Sequence, residues 1–137
     1  RRRRGTAGRR GLPEPPPPPP AATVAAPLQF RGANYNETLG RSGSLLLVIT
    51  RRRGDAVTVR FESSGGLIGA GELEGRLTED GRLTASGTLL MGRNPFVTDL
   101  EALVLGDVMN GTAHYARLVE PGLRTSATRS QFRLTRF

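Results

Sequence analysis

Few residues in this chain have catalytic chemistry to offer. His114, in NGTAHYARL, is the one histidine, and there is no cysteine. Two carboxylate pairs are spaced two apart, Glu72/Glu74 and Asp99/Glu101. On a strand, that spacing sets both members of a pair on one face, as a general acid and base would need. It is also the pattern of a solvated outer face, and we read it so. The scattered serines have no neighbouring base to activate them. A metal at His114 would need carboxylate or Asn partners, and no spacing supplies them. The chain therefore reads as noncatalytic, with no metal and no cofactor.

Hydrogen-bonding chemistry is better represented. GANYNETLGRSGSLLLVIT (32–50) begins polar and glycine-broken and ends as an evident strand. Its Tyr35, Asn36, Ser42 and Ser44 could rim a pocket. Behind such a rim, Leu47, Val59 and Leu73, with Ala85 and Ala102, are the residues expected to line a cavity. Three other motifs read as incidental. Arg53-Gly54-Asp55 is ordinary turn chemistry, although it spells an adhesion tripeptide. Asn36-Glu37-Thr38 and Asn110-Gly111-Thr112 fit the glycosylation pattern, but the composition suggests a bacterial gene. The glycines of GLIGAG precede no helical pattern, so they do not form a dinucleotide site.

The elements that must position these residues are strands. DAVTVRFE (55–62) sets Val57, Val59 and Phe61 against Thr58, Arg60 and Glu62. GRLTASGTLL (81–90) and SQFRLTR (130–136) alternate in the same way, as half-buried antiparallel strands do. Turn signals recur at RRGD, SSGG, EDGR, GRNP, LGDVMNG and EPG, with Asp80-Gly81 the strongest. Eight strands are expected, over 28–36, 43–51, 55–62, 66–76, 82–91, 96–105, 110–119 and 128–137. TDLEALVLG (98–106) could be a short helix, but Leu100, Ala102 and Val104 alternate, and a strand is expected there. The fold class is all-β: an antiparallel up-and-down barrel, which removes exposed edges, with a β-sandwich as the alternative. GLIGAGELEG (66–75) has four glycines in ten positions. They either let the barrel coil tightly or leave a hollow.

Composition separates a tail from a domain. Residues 1–27 carry six arginines against one glutamate, and residues 28–137 carry fourteen against eleven. The tail has almost no apolar surface to bury and is expected to be disordered. Its six-proline run would be a stiff spacer of about 19 Å at roughly 3.1 Å per residue. Residues 28–137 are then the barrel domain, large enough for its own core. Every basic residue is arginine, which reads as a GC-rich genome rather than a dedicated polyanion surface. The tail could still contact anionic lipid or nucleic acid nonspecifically; specific nucleic-acid binding is not expected. No apolar run reaches the roughly 20 residues of a membrane-spanning helix, and no signal peptide is visible. The chain opens on arginine rather than methionine, which reads as a piece of a longer product. A membrane anchor or a solvated linker could precede it.

The stretch from Gly32 resembles the first strand, loop and second strand of avidin-type barrels, which lie near the lipocalins. Gly32, Tyr35, Asn36, Leu39, Gly40 and one of Ser42 or Ser44 match in order, and Asn34 stands where the family has tryptophan. The resemblance implies an eight-stranded barrel, with Asn36 and a serine bonding the head of a ligand. The chain also resembles small barrel domains that bacterial envelope and signalling proteins attach through Pro-rich linkers. That likeness rests on Phe30, Gly32, Tyr35, Asn36 and Thr38, then Gly69 and Gly71, then Phe132, Leu134, Thr135 and Arg136; it implies a barrel tethered to a larger chain, for which the cell envelope is one place and the compartment is left open. Together these readings give a tethered binding module for a small apolar ligand or a protein partner. The alternative is a structural subunit with a filled core.

Overall fold

The computed structural model describes residues 26–66, 68–120 and 123–137. Most of the tail, residues 1–25, and the turn signal around Pro121 lie outside the described residues. Eight strands follow in order: β1 (Leu28–Asn36), β2 (Arg41–Arg53), β3 (Ala56–Gly65), β4 (Gly69–Leu77), β5 (Arg82–Met91), β6 (Asn94–Leu105), β7 (Val108–Glu120) and β8 (Leu123–Arg136). Each pairs antiparallel with the next, and β8 returns to β1 to close a barrel. The sandwich alternative is thereby set aside, and TDLEALVLG is strand.

The register fixes the barrel's shape. Paired residues run from Arg51 through Val57, Gly75, Ala85, Leu100, Ala113 and Ser130 to Asn36. Asn36 then pairs with Arg41, so one circuit returns to β2 ten residues from its start, 51 less 41. With a rise of about 3.3 Å per residue and strands ~4.8 Å apart, that stagger tilts eight strands by about 40° and gives a radius of about 8 Å. Such an interior holds side chains, or side chains and one small ligand.

Strand parity decides what fills it. Leu45, Leu47 and Ile49 face inwards from β2, and Val57, Val59 and Phe61 from β3. Leu73 and Leu77, Leu83 and Leu89, Leu100, Met109, Phe132 and Leu134 complete the core. Thr58 points outwards yet is buried, because Arg52 Nε donates to its hydroxyl at 2.7 Å and Glu74 lies beside it. β4 and β5 run so close that a Cβ added at Gly75 would lie 1.8 Å from the Thr84 carbonyl oxygen. Crowding between coiled strands thus accounts for that glycine.

The two barrel ends differ. The loops at Gly54-Asp55, Thr78–Gly81 and Gly106-Asp107 close one end. There Gly81 takes a φ of 89°, its carbonyl accepts the Val104 N–H at 2.7 Å, and the Thr78 hydroxyl donates to the Asp80 carboxylate. That bond, chiefly, holds the exposed Asp80 carboxyl below its ordinary pKa. The loops after β1, β3 and β5 surround the other end.

Candidate binding site

The core does not reach the second end. A cavity of about 290 Å³ opens there, lined by apolar side chains that include Leu39, Phe61, Ile68, Met91 and Phe96. Its polar lining comes from Asn34, Asn36, Ser63, Tyr115, Thr128 and Ser130, with Arg41 the one charged side chain among the described residues. The same alternation that supplies the core brings the polar groups inside. Asn34 and Asn36 continue the inward parity of Phe30, and Ser130 that of Phe132 and Leu134.

Three of these groups form a buried cluster. Asn34, Tyr115 and Ser130 are 2%, 3% and 1% exposed. Burial pushes the Tyr115 phenol above its usual pKa, and the adjoining Ser130 and Asn34 partly offset this. The phenol therefore stays protonated and neutral at physiological pH. The phenol's contacts with Ser130 and Asn34 are hydrogen bonds of poor geometry, and neither Asn34 Oδ1 nor Ser130 Oγ makes a well-formed one. Such oxygens cost about 1–3 kcal/mol each when left unpaired, and folded proteins contain few of them.

The rim is held from both sides of the closing seam. Asn36 Oδ1 accepts from the Leu39 N–H, and the Asn36 carbonyl accepts from Gly40 N–H, each at 2.9 Å. The Glu37 N–H donates to the Arg129 carbonyl at 2.9 Å, and the Arg129 N–H donates to Thr38 Oγ1 at 3.2 Å. The Arg129 and Glu37 side chains pair at 3.6 Å. Leu39 and Ile68 project at this end, 56% and 71% exposed.

The residues singled out from sequence separate into three groups. Asn36 lines the cavity. Tyr35 faces outwards because Phe30, Asn34 and Asn36 take the inward parity of β1, and Ser42 and Ser44 do so because Leu45, Leu47 and Ile49 take that of β2; all three are exposed. Leu47, Val59 and Leu73 are fully buried, and with Ala85 and Ala102 they pack on one another as core below the cavity. Asn34, Tyr115 and Ser130 went unnoticed as site residues, although their even spacing from Phe30 (four residues), Ala113 and Phe132 (two each) is visible in the sequence.

Elsewhere the hollows are shallow. One of about 880 Å³ lies on the outer wall, among Leu46, Ala70, Leu90 and Phe137. There Arg60 Nε pairs with Glu62 at 2.7 Å, and the Arg31 guanidinium lies 4.3 Å from the Phe137 ring centre. Another groups Glu74, Asp99, Glu101 and His114, all exposed on the outside, with Asp99 opposite His114. No cluster of three or more His, Cys, Asp or Glu able to hold a metal ion occurs among the described residues.

No protein-family model and no curated protein matches this chain. Among solved structures, that of EF1p2_mFAP2b bound to DFHBI is similar, with a TM-score of 0.61 and 15% identity over 85% of this chain and 96% of that one. At that identity the likeness concerns the fold alone. The chain is thus an eight-stranded antiparallel β-barrel with a hollow end whose mostly apolar walls carry a few polar groups.

Proposed function

We propose that this protein is a noncatalytic binding module that takes a small, largely apolar ligand into the open end of its barrel. The observation that carries the reading is the pair of buried oxygens without a well-formed hydrogen bond, Asn34 Oδ1 and Ser130 Oγ, on residues that line that cavity. A barrel serving only as a scaffold would gain stability from apolar residues at both positions. The volume stands at the lower edge of the about 300–1,000 Å³ usual for small-molecule sites, and the walls are mostly apolar with a few convergent polar groups. A barrel of similar fold has been solved with a compound bound. The resemblance to avidin-type barrels enters through the fold and Asn36; Ser42 and Ser44 lie outside the cavity. Native mass spectrometry of the full chain, purified gently from a bacterial host, tests the proposal. A co-purified adduct that leaves on activation is expected with the natural protein and lost with Met91→Trp, which blocks the cavity. A bare mass before and after incubation with a small-molecule library would overturn it.

A further inference from the structure

The inner polar cluster restricts what can enter, and this step rests on the pocket reading above. Asn34 Oδ1 can only accept a hydrogen bond. Ser130 Oγ can accept one too, and lies in the same buried cluster. No aspartate or glutamate lines the cavity among the described residues, so an ammonium group would be buried without a counterion. The lining cation, Arg41, is exposed at the rim, where its backbone pairs with Asn36. A carboxylate pushed to the inner end would leave water, face the Asn34 oxygen and find no cation beside it. Phe61, Phe96 and Met91 offer apolar walls that suit a flat ring.

We infer that the cavity selects small, neutral ring compounds that enter with a hydroxyl or N–H donor foremost. The donor is bonded by Asn34 Oδ1, with Ser130 Oγ as a second partner, and the ring lies between the apolar walls. Charged analogues of the same size and shape are rejected at the inner end.

The test uses the full chain and four probes of one ring system: 2-naphthol, naphthalene, 2-naphthoate and 2-naphthylmethylammonium. The protein has no tryptophan, so the fluorescence of the probes can be read with little background. 2-Naphthol is expected to bind about tenfold tighter or better than the other three, since leaving the acceptor unpaired forfeits a hydrogen bond. Asn34→Leu should erase the preference of naphthol over naphthalene while leaving naphthalene at least as tight. Ser130→Ala should narrow that preference, and it carries the test if Asn34→Leu does not fold. Equal binding of naphthol and naphthalene would overturn the selection rule and leave the pocket standing. Tightest binding by either charged probe would overturn it as well. Binding by none of the four up to their solubility limits would overturn both the rule and the pocket.

Discussion

On the proposed reading, stability and ligand binding pull apart at Asn34. Its side chain is buried with an oxygen that lacks a well-formed hydrogen bond, which a stability-optimised barrel would avoid. Asn34→Leu should therefore stabilise the fold by about 1–3 kcal/mol in denaturant unfolding while weakening ligand binding. A clearly destabilised variant would mean that the oxygen is satisfied in solution. Tyr115 gives a pH prediction. Burial raises its pKa in the folded state, so unfolding favours its ionisation. Its contribution is complete below the ordinary tyrosine value of about 10 and is lost as pH rises from there through the raised folded value. Tyr115→Phe should remove this part of the alkaline loss, read as the pH dependence of the melting temperature above pH ~10. At this scale the sequence was half legible. Parity places Asn34, Asn36 and Ser130 with their apolar neighbours Phe30 and Phe132, and the same rule puts Ser42 and Ser44 outside. The short family-like run drew attention to the serines, and strand alternation overrides it.

At the scale of elements, the strands were almost fully legible. Hydrophobic alternation and glycine-bearing turns located all eight, and the strand reading of TDLEALVLG holds because Leu100 and Ala102 face the core. What the pattern could not supply was the reason for the glycines of β4. Bend and cavity predict the same residues, and the approach of β4 to β5 decides for close packing at Gly75. Gly75→Ala should accordingly cost about 1–3 kcal/mol, as overpacking does, rather than the small gain that alanine brings where space allows. Urea unfolding of the variant reads this directly, and an unchanged midpoint would show that the strands can part without loss.

Over the whole molecule, a stagger of ten residues gives a barrel whose interior is filled over most of its length and hollow at one mouth. The sequence left filled and hollow as alternatives; the structure has both, in different places. Leucines and valines complete the core toward the Gly81 end, while asparagines, a tyrosine and serines take the inward positions toward the mouth. Alternation alone could not show where the core stops, because that depends on how the staggered register aligns eight strands. Leu73→Ala, deep in the filled part, should cost about 2–5 kcal/mol without altering ligand selectivity. The same unfolding assay and the probe titration would read the two effects separately.

On the proposed reading the hollow mouth, and not the larger depression on the outer wall, takes the ligand. The most direct test is two-dimensional NMR of the isotope-labelled full chain titrated with 2-naphthol. Saturable shifts are expected at Asn34, Phe61, Phe96, Tyr115 and Ser130, with Leu46, Ala70 and Phe137 unmoved. Shifts confined to those outer-wall residues, or no saturable shift at all, would contradict that reading.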